Sequence, residues 1–319
     1  MLLALAAAAT LAAGPLQGYR PFTGLATEGP GGAAVVVLRA FTRGGQPCHW
    51  VVDPATLGAR VVPAARLRVE PRPWRAIRRE IADTAYGRAL RDAEKNEKPL
   101  QGAGLTHVRP DHPGIDLTLD LCPSRRPLDR RLFTALVQDL GRQERPLPVA
   151  IALTGAWMKE HPEDLAWLLS LERDGTLAVT WVNHSFHHRA SPTAPLRSNF
   201  LLEPGTDVPA EVLDTEKAML AAGLQPSVFF RFPGLVSRSD VFEKVVSLGL
   251  VPLGSDAWLA KSQSPADGSI VLVHANGNEP LGVRRFLELL RSERERIQSG
   301  DWQLLDLRES VVETESGRP

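Results

Sequence analysis

The sequence predicts an α/β fold, a small or incomplete (β/α) barrel that follows a short α+β region. Two observations predict the barrel. From residue 106 onwards, apolar segments of strand length alternate with segments whose apolar residues recur at helical spacing. The strand segments are almost continuously apolar, which is typical of parallel strands covered on both faces. A doubly wound open sheet is the alternative, but the sequence lacks the glycine-rich dinucleotide fingerprint of that fold.

The chain begins with an apolar segment, MLLALAAAATLAAGP, that is too short to cross a bilayer and ends in small residues and a proline. This pattern predicts a signal peptide over residues 1–19 and a periplasmic or secreted protein. A buried N-terminal helix or a lipid-facing anchor is the alternative. Residues 20–105 hold short apolar runs between Gly and Pro clusters and then a charged helical segment, which predict a small α+β accessory region.

Residues 106–308 are predicted to form the barrel, and residues 309–319 a flexible tail. The repeated strand, helix, strand order predicts parallel pairing with right-handed crossovers. The segments in order are GIDLTLDL, RRLFTALVQDLGRQ, PVAIALTG, HPEDLAWLLSLERDG, LAVTWVNHS, AEVLDTEKAMLAAGL, SVFFRFPG, RSDVFEKVVSLGL, VPLGSD and SIVLVHANGN.

Composition narrows the class of protein. Hydrophobic residues make up 43% of the 319 residues and charged residues 23%, so the chain can bury a sizeable core. Lys plus Arg and Asp plus Glu number 37 each, which removes the net positive field of a non-specific nucleic-acid binder, and we expect no nucleic-acid partner. Cys48 and Cys122 are too few for a disulfide framework and lack the spacing of a zinc ribbon, although they could pair in an oxidising compartment.

Polar side chains occupy the C-terminal ends of five predicted strands, the face on which (β/α) barrels build active sites. We therefore expect these side chains to converge. They are Asp120, His184 with His188, Arg231, Asp256 and His274.

The histidines in NHSFHH indicate a metal site. His184 and His188 are four residues apart, so on a helical turn both project to one side, within reach of one divalent cation, whereas His187 points elsewhere. Solvated or capping histidines are the alternative. Asp120 lies in an otherwise apolar run, where an unpaired carboxylate is costly. It is interpreted as a metal ligand or a general base, or else as a structural residue that caps the next loop.

The remaining strand-end residues fit acid and base roles. Arg231 in FFRFPG is the expected countercharge of Asp120, or else part of a packing salt bridge. His274 suits a general acid, particularly if Asp256 orients and charges it. Cys122 follows Asp120 by two positions, and a nucleophilic thiol with a histidine base is a less favoured hypothesis, because no oxyanion-hole signature accompanies it.

Taken in order, these segments resemble the motifs of the polysaccharide deacetylase family, the NodB homology domain or carbohydrate esterase family four, over about residues 112–290. The resemblance implies a distorted, incomplete (β/α) barrel of the NodB type, preceded here by the accessory region. LTLDLC is similar to the first motif, TFDDG; NHSFHH matches the second, H-[ST]-x-x-H; RFPG looks like the third; SDAW and IVLVH correspond to the fourth and fifth.

The family implies a metal-dependent hydrolase that removes N- or O-linked acetyl groups from a cell-envelope or extracellular carbohydrate, with Zn²⁺ or another divalent ion held by one Asp and two His. The ion polarises the acetyl carbonyl and lowers the pKa of its water. No stable membrane span is expected. The resemblance assigns the base position to Asp120, the ligand positions to His184 and His188, the partner of the base to Arg231, the orienter to Asp256 and the acid to His274.

One departure concerns the first motif. The family has two adjacent aspartates, a base and a metal ligand, but the second position here is Leu121. Three repairs are open: Asp120 itself ligates the ion, Asp129 swings in from the start of the next helix, or no metal is retained. Two further hypotheses therefore stand beside the deacetylase: a catalytically degenerate glycan-binding or envelope scaffold protein, and a hydrolase acting on a non-sugar C–N bond.

Overall fold

The structure is a computed structural model that describes residues 14–29, 31–142 and 144–313. Most of the signal peptide expected over residues 1–19 lies outside these residues, and its expected end falls within a strand, Leu16–Glu28. The expected tail begins inside a helix, Leu307–Glu313, so its first residues are helical, and residues 314–319 lie outside the description. Among the described helices, none is long and apolar enough to span a bilayer.

The accessory region is a five-stranded antiparallel sheet followed by two helices. A hairpin joins its second and third strands through Gly44 and Gly45, whose φ angles of 55° and 80° suit a tight turn that only glycine adopts readily. The strands are β1 (Leu16–Glu28), β2 (Ala34–Arg43), β3 (Gln46–Val52), β4 (Ala59–Pro63) and β5 (Leu67–Pro71), in the spatial order β4-β3-β2-β1-β5, and the helices are α1 (Trp74–Glu80) and α2 (Ala85–Lys95).

The second part of the chain forms a curled, parallel sheet with helices. Its strands are β6 (Gly114–Leu121), β7 (Leu147–Leu153), β8 (Leu177–Asn183), β9 (Pro226–Phe230), β10 (Val251–Pro252), β11 (Ala257–Trp258), β12 (Ile270–His274) and β13 (Gln303–Leu304). Its helices are α3 (Arg130–Asp139), α4 (Gly155–Glu160), α5 (Pro162–Arg173), α6 (Val208–Ala221), α7 (Ser239–Ser247), α8 (Pro280–Ser292), α9 (Arg294–Ser299) and α10 (Leu307–Glu313).

The strand order confirms the predicted fold class. The order is β10-β9-β8-β7-β6-β12-β11, with β13 pairing with β6, and every pair is parallel. Strands β6 to β10 follow one another in one direction, whereas a doubly wound sheet reverses at a switch point. Strands β11 and β12 return on the other side of β6, so the sheet curls into a barrel that is incomplete between β10 and β11.

Strand β6 shows how the sheet divides the core. All eight of its residues are buried. Leu117, Leu119 and Leu121 pack into the cluster that contains the helix residues Phe133 and Phe286. Because successive side chains of a strand point to opposite faces, Thr118 and Asp120 face the interior of the barrel instead.

The accessory sheet and the barrel share a second core cluster, to which Trp50 of β3 and Phe229 of β9 both belong. A buried ion pair crosses the same contact, with Arg39 Nη2 of β2 and Glu216 Oε1 of α6 separated by 2.7 Å. The accessory region therefore packs directly on the barrel that carries the site.

Candidate active site

The candidate site lies at the C-terminal ends of the central strands, as the sequence predicts. The register of the sheet pairs His274, the last residue of β12, with Asp120 of β6. Arg231 directly follows β9, and its backbone N–H donates to the carbonyl of Asn183, the last residue of β8. Parallel pairing thus brings the ends of strands far apart in the sequence to one edge of the sheet.

Asp120 and Arg231 form a buried pair. Arg231 Nη1 lies 3.3 Å from Asp120 Oδ1, and Nη2 donates to Thr118 Oγ1 at 3.0 Å, so the guanidinium spans two interior residues of β6. Burial by itself raises the pKa of Asp120, but the charge of Arg231, helped by His184, outweighs burial and holds that pKa below its usual value. Asp120 is therefore ionised at neutral pH, and the predicted partnership is present.

His184 is completely buried and held in one orientation. Its Nδ1 donates to the backbone carbonyl of Arg231 at 2.8 Å, which leaves Nε2 with a free lone pair. That Nε2 lies 3.6 Å from Asp120 Oδ2 and 3.4 Å from Cys122 Sγ. Burial lowers the pKa of His184 to about 4, so the ring is neutral. A neutral imidazole fixed through one nitrogen is the usual state of a metal-binding histidine.

His188 reaches the same place by a different route from the one the sequence predicts. Residues 184–190 form no helix, so the expected helical turn is wrong. Ser185 and His188 instead adopt left-handed φ angles of 66° and 48°, which fold the segment back and bring the two imidazole centroids to 4.8 Å. His188 Nε2 is buried and has no hydrogen-bond partner among the described residues.

Glu211 on α6 anchors this folded segment. Its Oε2 accepts hydrogen bonds from the backbone N–H groups of Phe186 and His187, both at 2.8 Å, and its Oε1 lies 2.6 Å from His187 Nδ1. Asn183 Oδ1 accepts from the N–H of Ser185 at 3.1 Å. The side chain of His187 is 53% exposed and lies against Glu211, in keeping with its exclusion from the predicted ligand pair.

Cys122 is a candidate metal ligand that the sequence analysis considered as a nucleophile and not as a ligand. Within the described chain, one ligand atom from each of Cys122, His184 and His188 lies within 4.8 Å of the others. A thiolate and two imidazoles form a donor set that suits zinc, and the unpartnered His188 Nε2 fits the same use. Burial raises the pKa of Cys122, but His188 and His274 lower it to about 7. The signal in the sequence was alternation, since Cys122 continues the interior series Thr118, Asp120.

His274 is paired with a carboxylate, but not with the expected one. Its Nδ1 lies 2.8 Å from Glu279 Oε2, and the same oxygen accepts from Trp258 Nε1 at 2.7 Å. Burial opposes protonation of His274, yet the neighbouring Cys122 thiolate and then Glu279 raise its pKa well above the usual value. His274 is thus more readily protonated than a free imidazole, and Glu279 is the carboxylate that lies beside it.

The orienting role expected of Asp256 is not supported by its position. The segment VPLGSD is not one strand, because β10 ends at Pro252 and Asp256 precedes β11. Asp256 therefore lies at the N-terminal ends of β11 and β12, where its carboxylate accepts from the N–H of Ile270 at 3.1 Å and lies 2.8 Å from His107 Nδ1.

Asp129, the second proposed source of a missing ligand, caps a helix instead. It is the N-cap of α3, and its Oδ1 accepts from the backbone N–H of Arg131 at 3.2 Å. Both oxygens also bind the guanidinium of Arg131, at 2.9 and 2.6 Å. Among the described residues, Asp129 does not belong to the group whose ligand atoms lie together.

No protein-family model matches the sequence. Solved structures to which the chain is similar include a family 4 carbohydrate esterase from Bacillus anthracis, at 16% identity and a TM-score of 0.47, covering 71% of this chain and 91% of that one. Another, from Bacillus subtilis, has 16% identity and a TM-score of 0.48, covering 70% and 88%. A third is a family 4 pseudoenzyme from Bacillus anthracis, at 15% identity and a TM-score of 0.46, covering 67% and 70%. Two of these structures are family 4 carbohydrate esterases and one is a family 4 pseudoenzyme, and the likeness of this chain to them is one of fold.

Proposed function

We propose that the chain is a metal-dependent hydrolase that removes N- or O-linked acetyl groups from a cell-envelope or extracellular carbohydrate. The observation that carries the proposal is the position of Asp120, an ionised carboxylate paired with Arg231 and 3.6 Å from His184 Nε2. A buried carboxylate, two candidate metal ligands and a histidine with a raised pKa thus lie at one edge of the sheet, which supports the proposal.

His184 and His188 would hold a divalent ion. When bound there, such an ion supplies Lewis-acid chemistry, because it polarises an acyl carbonyl and lowers the pKa of water. Asp120 accepts the proton of the attacking water, since Arg231 keeps its carboxylate ionised. His274 donates a proton to the departing nitrogen or oxygen of the sugar, and Glu279 keeps its ring oriented. The apolar leader supports export to the periplasm or beyond.

A catalytically degenerate glycan-binding or scaffold protein is the second candidate, and Leu121 favours it. Leu121 is fully buried in the cluster between the sheet and the helices, so the position where the family motif has a ligating aspartate offers no donor. The two candidates differ in bound metal and in turnover.

The test uses protein purified without chelator and loaded with Zn²⁺. Acetate release is measured from N-acetylated chitooligosaccharides, peptidoglycan fragments and O-acetylated xylan, beside elemental analysis. We expect one ion per chain, turnover of at least one substrate, and a kcat about 10²- to 10⁴-fold lower in Asp120→Asn. Asp129→Asn is the control. It removes a carboxylate nine residues further along the chain that lies outside the ligand group, and asparagine can still cap α3. Metal-loaded protein that releases no acetate from any of these would overturn the proposal, and glycan binding without stoichiometric metal would support the scaffold.

A further inference from the structure

The proposed metal site has two histidine ligands and needs a third, anionic ligand. His184 and His188 alone are a weak site, because a catalytic zinc ion normally has three protein ligands and one open position. We infer that Cys122 supplies the third ligand, so that the site takes a thiophilic divalent ion such as Zn²⁺ or Co²⁺ rather than Mg²⁺ or Ca²⁺. The role of this ion in acetyl removal rests on the proposed function, but its binding does not.

The first argument is the alternation of β6. Leu121 lies in the cluster between sheet and helices, whereas Thr118 and Asp120 face the interior, so the next interior position after Asp120 is 122. The backbone around that position is fixed, because Thr154 Oγ1 donates to the carbonyl of Leu121 at 3.0 Å and Asn276 Nδ2 donates to the carbonyl of Cys122 at 2.7 Å. An anionic donor lost at 121 is thereby supplied one residue later.

The second argument is distance. The ligand atoms of Cys122, His184 and His188 lie within 4.8 Å of one another, and Cys122 Sγ is 3.4 Å from His184 Nε2. Three donors bound to one tetrahedral ion at about 2.0–2.3 Å are separated by less than about 4 Å, so small side-chain adjustments close this triangle.

The other two proposed ligands fit the third position less well. Both oxygens of Asp129 bind Arg131. Asp120 Oδ1 pairs with Arg231, and its Oδ2 lies 3.6 Å from His184 Nε2, a position beside the ion that suits a base. Thiolate is a soft donor that favours Zn²⁺ and Co²⁺, whereas Mg²⁺ and Ca²⁺ favour an all-oxygen shell. The chemistry of the donor set therefore selects the class of ion.

The test is spectroscopic and needs no substrate. The chain is purified under reducing conditions, freed of metal and titrated with Co²⁺ while its absorption is recorded. We expect one Co²⁺ per chain with a thiolate-to-cobalt charge-transfer band in the near ultraviolet, displaced stoichiometrically by Zn²⁺ and not by Mg²⁺. The band should disappear in Cys122→Ser and persist in Cys48→Ser, the matched control, because Cys48 is the other buried free thiol and lies in the accessory sheet.

A further variant guards against misfolding. Cys122→Asp should bind one Co²⁺ without the charge-transfer band, because a carboxylate restores the charge but not the sulfur. Wild-type protein that binds Co²⁺ without the band, or a band that survives in Cys122→Ser, would overturn the inference. If the wild-type protein shows the charge-transfer band but releases no acetate, the proposed function alone is contradicted. If it releases acetate but shows no band, the assignment of Cys122 as a ligand alone is contradicted.

Discussion

Glu279 Oε2 lies 2.8 Å from Nδ1 of His274, five residues earlier in the chain, and accepts a hydrogen bond from Trp258 Nε1 at 2.7 Å. Glu279 is the N-cap residue of α8, and Trp258 ends β11. A carboxylate from the loop after β12 thus takes the place beside the imidazole that the sequence assigned to Asp256.

Glu279→Gln is expected to lower kcat for acetate release by about 10- to 100-fold with little change in KM, because the variant removes a negative charge that orients His274 and favours its protonated form. Asp256→Asn is the matched control, since Asp256 lies at the opposite ends of β11 and β12. Steady-state kinetics on the most active substrate measure both. A large loss in Asp256→Asn with none in Glu279→Gln would contradict the assignment.

His188→Ala is expected to abolish stoichiometric Zn²⁺ binding, because it removes one of the two proposed imidazole ligands. It should also lower kcat by more than about 100-fold, since loss of a residue that merely supports a metal ligand typically costs about 10- to 100-fold. His187→Ala should keep both metal and turnover, since the anchoring N–H groups of the segment remain bound to Glu211. Elemental analysis and acetate release measure the two effects. If both variants lost bound metal and turnover equally, the conformation of the segment around these histidines, and not ligation by His188, would explain the loss.

Arg231→Met is expected to lower the free energy of unfolding by about 3–5 kcal/mol, because it leaves the carboxylate of Asp120 buried without its countercharge. In the double variant Asp120→Asn, Arg231→Met the loss should be smaller than the sum of the two single losses. Urea denaturation of the four proteins of this cycle measures the coupling. Strict additivity would show that the two side chains do not stabilise one another.

Glu144, which lies outside the candidate site, is expected to make the stability of the fold depend on pH. Burial raises the pKa of its carboxyl from 4.5 to about 7, and Oε2 has no hydrogen-bond partner among the described residues. A folded-state pKa above the unfolded value means that this contribution to stability is fully present below about pH 4.5 and is lost as the pH rises through about 7. Above that pH the folded protein holds a partly buried carboxylate.

Glu144→Gln should therefore have the same Tm as the wild type in acid and a higher Tm above neutral pH. Thermal unfolding from about pH 4 to pH 8 measures the difference. Glu288→Gln, which removes the same charge from an exposed position of α8, controls for net charge. A difference in Tm that does not change with pH would contradict the interpretation.

The regular part of the fold could be predicted closely. The segment GIDLTLDL coincides with β6, and LAVTWVNHS and SIVLVHANGN contain β8 and β12, because continuous apolar runs bounded by turn residues are typical of strands buried on both faces. Short strands were harder to predict. Strand β10 has only two residues, so the predicted strand VPLGSD extends beyond it through the loop that precedes β11 and misplaces Asp256.

By itself, the sequence determined that Asp120, Arg231, His184, His188 and His274 come to one edge of the sheet, because parallel strands align their C-terminal ends, but it wrongly added Asp256 to that edge. Only the tertiary structure decided the partners within that edge. Glu279 meets His274 through the loop that starts α8, and His188 meets His184 through two left-handed residues, contacts that no local periodicity encodes. The position of Cys122 depended on both, since alternation along β6 directs it inward and the folded segment brings the two histidines to it.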